Sequence, residues 1–155
     1  MQYESFAIER LRDILKLGMA MQQEGDYNVV PFDIAKAAQS TLDYVINNDN
    51  GFGVLAYTDD GEPVGMLAGS ITPYFFSKGS VASDFVWYVM PKHRGSRAAI
   101  KMLKMFVDWA REKGAMELYM GVTTNIAPER TGELLKRRGF ETVGGNYRVR
   151  LNGES

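Results

Sequence analysis

Apolar residues at Ile8, Leu11, Ile14, Leu15 and Met19 recur at three- and four-residue intervals, with Glu9, Arg10, Arg12, Asp13 and Lys16 between them. This spacing predicts an amphipathic helix over Ile8–Met21. The polar run Gln22–Asn28 then reads as a loop. Asp33 is a good N-cap for a second helix whose apolar face is Ile34, Ala37, Ala38, Thr41, Leu42 and Val45, and Asn47–Gly51 stops it. The pattern next changes to strands. Gly53–Tyr57 and Pro63–Gly69 flank Asp59-Asp60-Gly61-Glu62, which predicts a hairpin. Pro73–Ser80 reads as a loop whose aromatic trio Tyr74-Phe75-Phe76 is either a substrate wall or a packed loop, with packing the preferred reading. Asp84–Met90 is almost wholly apolar, as a strand buried on both faces is. Gly95–Lys113 is the clearest helix: Ala99, Leu103, Phe106, Val107 and Ala110 form one stripe, Lys101, Lys104, Asp108 and Arg111 the opposite one, and Gly114 ends it. A strand over Met116–Val122, a helix over Pro128–Arg138 closed by Gly139, and a last strand over Glu141–Leu151 follow. The order α-α-β-β-β-α-β-α-β predicts an α/β (α+β) fold with a mixed, mostly antiparallel central sheet and helices on both faces.

A chain of 155 residues predicts one domain. It has no cysteine and a single histidine, His93, which excludes disulfide scaffolds, thiolate metal sites and Cys nucleophiles, and leaves no metal site expected. The nine methionines, Met102 and Met105 among them, are expected as core filler. No apolar run is long enough to span a membrane, and the N-terminal residues lack the pattern of a signal peptide, so the cytoplasm is the expected location. A net charge of −1 argues against a broad basic face for nucleic acid.

One segment points to chemistry: Val89-Met90-Pro91-Lys92-His93-Arg94-Gly95-Ser96-Arg97-Ala98-Ala99. A buried strand ends at Pro91, a basic turn follows, and a long helix begins. The first turn of a helix offers unpaired N–H groups and partial positive charge. Gly95 removes a side chain, Ser96 offers a hydroxyl, Ala98 and Ala99 keep the turn slim, and Lys92, Arg94 and Arg97 add charge. Such a turn suits a diphosphate. It is neither a P-loop nor a dinucleotide fingerprint.

The run YVMPKHRGSRAAIKMLKMFVDWAREKGA, with RRGF about 25 residues later, resembles the GNAT family of N-acetyltransferases, and the element order fits from Ile8 to Leu151. In that family a V-x-P step ends a strand, and a Q/R-x-x-G-x-G/A turn binds the coenzyme A pyrophosphate. Here Lys92 stands at the Gln/Arg position and Arg97 at the second Gly/Ala. RGS-x-AA, with the preceding Glu24, Tyr27, Pro31, Phe32 and Asp33, looks most like members encoded by bacteriophages. The resemblance implies acetyl-CoA as cofactor and an amine acceptor, on a small molecule or a protein. No nucleic acid or membrane partner is implied, and homodimers are common in the family. It further implies that Val89 N–H holds the acetyl carbonyl and that Trp87 and Val89 pair with the pantetheine. The family's first strand would lie in the first few residues. The Tyr that many members use to protonate the leaving thiolate is replaced here by Leu135, and the Asn seven residues before it by Pro128.

Acetyl transfer needs a base, because a typical ammonium is protonated at neutral pH. The family places its acid early in the strand before the turn, at Ser83 or Asp84, which makes Asp84 the first candidate; the plain alternative is a solvated strand-start carboxylate. Glu24 is the second candidate for the base; it and Tyr27 lie in the loop that lines the acceptor side in the family, and each also reads as an ordinary loop residue. Tyr27, Tyr88, Tyr119 and Tyr147 are candidates for the missing acid. By alternation Tyr88 shares a face with Asp84 and Val86. His93 lies in the turn, roughly 10 Å or more from any acetyl group, and reads as a phosphate or solvent contact. Acceptor pockets in the family come from variable loops, here Gln22–Phe32 and Ile71–Ser83. Two other readings stay open: a coenzyme-A-binding accessory or structural protein without catalysis, and a nucleic-acid module using Lys92, Arg94, Arg97 and Lys101.

Overall fold

The computed structural model describes residues 1–122, 124 and 126–151. One five-stranded sheet has the order β1 (Gln2–Ser5), β2 (Gly51–Tyr57), β3 (Pro63–Pro73), β4 (Ser80–Val89), β5 (Glu117–Tyr119). The first four strands form an antiparallel meander and β5 joins β4 in parallel. Helices α1 (Leu11–Glu24) and α2 (Ile34–Thr41) precede β2; α3 (Ala98–Glu112) links β4 to β5, and α4 (Pro128–Arg137) follows. The mixed sheet with helices on both faces is the predicted fold class. Asp33 caps α2 as expected, its carboxylate accepting from Lys36 N–H at 2.9 Å. The helix runs on into a π-helical turn over Leu42–Ile46. No helix among the described residues is long and apolar enough to cross a membrane.

β2 shows why an uninterrupted apolar run becomes a strand. Val54 and Ala56 pack with Leu67, Ala98, Met102 and Phe106 on the α3 side, while Leu55 packs with Ile14, Leu17 and Met66 on the α1 side. Alternation sends successive residues to opposite faces, and helices cover both. Met66 and Met102 are buried, as core filler should be, whereas Met1, Met19 and Met116 are exposed and fill no core.

The register of β3 against β4 slips once. Ala68 faces Val86 and Gly69 faces Asp84, so Phe85 is an unpaired bulge residue. A bulge breaks alternation. Asp84 keeps the parity of Ala82, which packs on the α3 side, whereas Phe85 and Val86 both line a cavity under α1 and α2. Asp84 therefore does not share a face with Tyr88 and Val86, contrary to the unbroken alternation. The bulge also explains Gly69, where a Cβ would lie 2.4 Å from the Ser83 carbonyl oxygen and 2.6 Å from the Phe106 ring.

Other expectations need correction. Glu141–Leu151 is not a strand. β5 pairs over only three residues, and Gly139 (φ 91°) and Gly144 (φ 149°) turn the chain away from the sheet. The segment instead delivers Arg148 to the Asp26 carboxylate at 3.1 Å and Arg150 to the Asp26 carbonyl at 3.2 Å. The long helix starts at Ala98 rather than Gly95, because Pro91–His93 form a 3₁₀ turn first. The aromatic trio does not pack into the core: Phe75 and Phe76 stand in solvent at the β3–β4 tip, Phe76 meets only the Tyr74 ring at 5.5 Å between centroids, and Tyr74 donates to Glu117.

Gly69→Ala should lower stability by about 1–3 kcal/mol, because backbone and a buried ring oppose the new methyl. Urea denaturation checks this: the midpoint falls with an unchanged slope.

Candidate active site

β4 and β5 pair only at Val81–Glu117, Ala82–Leu118 and Ser83–Tyr119. Beyond Ser83 they part, and Asp84 spans the fork, its Oδ1 accepting from Gly121 N–H at 3.0 Å. On that side β4 has no strand partner among the described residues from there to Val89. Met90 N–H donates back to the Val64 carbonyl at 2.8 Å, so by alternation the N–H groups of Trp87 and Val89 point to the opposite edge, into the gap. The gap is a cleft of about 710 Å³. It runs from Ala99, Ile100 and Leu134 on the α3–α4 side through to Met21, Tyr27 and Tyr88 on the α1 side.

The turn after β4 forms one end. His93, Arg94, Gly95, Ser96 and Ala99 line it. A Cβ on Gly95 would meet nothing within 4 Å, so this glycine leaves open space rather than relieving a clash. Ser96 Oγ accepts from Ala98 N–H at 3.3 Å, just ahead of α3, whose N-cap is Arg97. His93 Nε2 is buried without a hydrogen-bond partner. Lys92 and Arg97 are exposed and do not line the cleft, and Ala98 is fully buried in the core. Trp87 braces the turn, its indole N–H donating to the Ala99 carbonyl at 3.3 Å.

Arg94 turns inward. Its guanidinium grips the Glu24 carboxylate with both terminal nitrogens, at 2.6 and 2.7 Å, and its Nε–H donates to the Val89 carbonyl at 2.9 Å. Tyr88 donates its hydroxyl to the same carboxylate at 2.8 Å, and its ring lies 5.5 Å from the guanidinium carbon. Glu24, at the end of α1, thus joins the end of β4 to the turn. The Arg94 hydrogen bonds, chiefly, hold the Glu24 carboxyl below its ordinary range, with a further contribution from Tyr88. Burial, then the hydrogen bond to Glu24, pushes the Tyr88 phenol up to about 12, so it stays protonated. Asp84 moves opposite to Glu24: burial raises its pKa, and the Gly121 N–H partly offsets that.

The structure therefore brings Asp84, Trp87, Tyr88, Val89, His93, Arg94, Gly95, Ser96, Ala99 and Tyr27 onto one cleft, and places Glu24 immediately behind it. Tyr119 and Tyr147 do not line it. Sequence reasoning missed the opposite wall, where Arg130, Thr131 and Leu134 of α4 face the cleft. The adjacent Leu134–Leu135 pair carried a usable signal. Leu135 enters the core and Leu134, one position away on the helix, is left for the cleft.

The model of the acetyltransferase (GNAT) family matches residues 17–140, and the chain belongs to that family. It is an N-acetyltransferase by family, and its cofactor is acetyl-CoA. No curated protein sequence matches it. Among solved structures, the aminoglycoside antibiotic 6'-N-acetyltransferase AAC(6')-IG of Acinetobacter haemolyticus aligns over 99% of this chain and 100% of its own, with TM-score 0.74 and 18% identity. The ribosomal-protein-alanine N-acetyltransferase of Brucella melitensis biovar Abortus 2308 aligns over 97% and 100%, with TM-score 0.72 and 16% identity. AAC(6')-Iy, in complex with the bisubstrate analogue CoA-S-monomethyl-acetylneamine, aligns over 97% and 98%, with TM-score 0.74 and 17% identity. At these identities the likeness is one of fold. The residues present fit the cofactor: an unpaired strand edge, an open glycine turn and an orphaned buried imidazole nitrogen face one cleft.

Glu24→Gln tests the junction. A carboxylate with a depressed folded pKa contributes stability above its ordinary pKa of 4.5, lost as pH falls below it. The variant should lose about 1–3 kcal/mol at neutral pH. It should also lose less than the wild type between about pH 5 and pH 2. Urea midpoints across pH check both.

Proposed function

We propose that the chain moves an acetyl group from acetyl-CoA to a primary amine, of a small molecule or a protein, by direct attack with both substrates bound across the β4–β5 gap. The supporting observation is the free edge of β4, whose Trp87 and Val89 N–H groups point into a cleft that opens on both sheet faces. Acetyl-CoA supplies an activated acetyl thioester when bound. Val89 N–H is the donor for the acetyl carbonyl, and Trp87 and Val89 pair with the pantetheine as with an added strand. Gly95 and Ala99 give the diphosphate room and backbone donors, Ser96 lines the same turn with its N–H already donated to the His93 carbonyl at 3.1 Å, and His93 Nε2 offers one more unspent polar atom. Lys92 and Arg97 contribute positive field from outside the cleft, while Arg94 is spent on Glu24 and on fixing the Val89 carbonyl.

Asp84 is the base. It lines the cleft, and burial raises its pKa toward that of the ammonium it must deprotonate. Tyr88 and Glu24 are positioning residues: their hydrogen bonds to each other and to Arg94 hold the end of β4 against α1. Tyr27 stands on the acceptor side of the cleft. Leu135 is buried in the core, so no hydroxyl stands at that place for the leaving thiolate. That burial is the one observation favouring coenzyme A binding without catalysis.

Thermal unfolding with acetyl-CoA, and with NAD as control, tests the cofactor: saturation at 100 times Kd adds about 2.7 kcal/mol. Gly95→Leu should keep the unliganded Tm, because its side chain enters open space, yet abolish the acetyl-CoA shift. A retained shift removes the turn from the site. Asp84→Asn should keep the shift and lower kcat by about 10²–10⁴-fold. It should also erase the acid limb of the pH–rate profile, which in the wild type falls as pH drops through the raised Asp84 pKa. An unchanged profile removes Asp84 as base, and turnover absent from the wild type despite an acetyl-CoA shift selects the non-catalytic reading.

A further inference from the structure

A second cavity, of about 270 Å³, lies under α1 and α2 and meets the cleft at the β4 bulge, because Phe85 and Val86 line both. From its geometry we infer that it receives the body of the acceptor, and that the acceptor is a small monoamine carrying one compact apolar group, an aromatic ring above all. This rests on the acetyl-transfer reading and names the substrate class for it.

Phe6, Leu15, Phe32, Tyr44, Met66 and Phe85 supply much of the lining. Its few hydroxyls include Thr41, which is already spent on the Ala37 carbonyl at 2.8 Å. No carboxylate lines it. The carboxylates of α1 and α2 are engaged elsewhere: Asp13 with Tyr57, Glu24 with Arg94 and Tyr88, Asp33 with Lys36 N–H, and Asp43 with Gln39. A polycation needs carboxylate partners when it leaves water, and here it finds none. An apolar body loses nothing by entering. The size agrees, since a cavity of about 150 Å³ takes benzene. This one has room for a ring with a short arm.

Two further observations point to an aromatic guest. At the mouth, Tyr44 and Phe85 are each more than half exposed, with ring centroids 6.2 Å apart, which leaves aromatic surface for a third ring. On the floor is Gly18, inside α1, where glycine disfavours the helix. Packing does not demand it, because a Cβ there would meet the Phe32 ring at 3.7 Å and Met66 Cε at 4.0 Å, which is ordinary contact. What the glycine does provide is volume.

The test compares 2-phenylethylamine with methylamine, spermidine and neamine as acceptors, and follows binding of 2-phenylethylamine to the protein alone by methyl NMR. The expected result is a kcat/KM for 2-phenylethylamine at least tenfold above the other three. Gly18→Leu should remove that advantage through KM, leave methylamine turnover and the acetyl-CoA thermal shift unchanged, and abolish the NMR shifts of Met66. Ala37→Leu, on the α2 wall, is a second filling variant should the first not fold. Preference for neamine or spermidine, or an unaltered KM in a folded filled variant, overturns the inference. If acetyl-CoA fails to bind or no amine is acetylated, the acetyl-transfer reading fails. NMR still decides the cavity: binding lost on filling supports it, and no binding to the wild type overturns it.

Discussion

The parting of β4 and β5 after Ser83 is the constraint on which the site depends. A strand edge inside a folded protein normally finds a partner, because unpaired buried N–H and C=O groups are costly. Here the edge from Phe85 to Val89 faces a cleft, and Asp84 holds the fork by taking Gly121 N–H. One carboxylate oxygen thus satisfies the Gly121 amide, two residues past the last ladder pair. The bulge at Phe85 follows at once and reassigns faces, so that Asp84 stays with the α3 side while Phe85 and Val86 turn toward α1 and α2. One irregularity of two residues gives the cleft its hinge and joins it to the second cavity.

The other end of the open edge is held by charge. Glu24, Arg94 and Tyr88 come from three separate stretches of chain and meet within hydrogen-bond distance. A bidentate, partly desolvated Arg–carboxylate pair is stronger and more directional than a surface pair. Through its remaining N–H the guanidinium also fixes the carbonyl of Val89, the residue whose N–H faces the cleft. The basic turn therefore does two jobs with different residues. Arg94 is spent on internal hydrogen bonds, and the glycine, the serine, the histidine and the start of α3 line the cleft.

Much of this was legible in the sequence. The periodicity of α1, α2 and α3 and the Asp33 cap marked the helices, and the apolar runs of β2 and β4 marked strands, but β4 is not buried on both faces as its composition implies: Phe85 stands more than half exposed. The turn at Pro91–Ala99 was legible as a strand-to-helix turn rich in charge. Side-chain direction was not. Arg94 looks the same in the sequence whether it faces a phosphate or Glu24, seventy residues away. The bulge was invisible because it depends on what β3 sets opposite β4, including Gly69 against the Ser83 carbonyl. Glu141–Leu151 alternates like a strand, but a strand also needs a neighbour, and β5 is too short and too far turned to be one. The exposed Phe75 and Phe76 show the same limit, since aromatic content alone does not say what lies above it.

Amide hydrogen exchange across β4, with and without acetyl-CoA, tests the open edge most directly. The account predicts that Trp87 and Val89 amides exchange quickly in the free protein and slow markedly on binding, while the Met90 amide, already bonded to Val64, is protected throughout. Slow exchange of Trp87 and Val89 without ligand, or no change on binding, would contradict it.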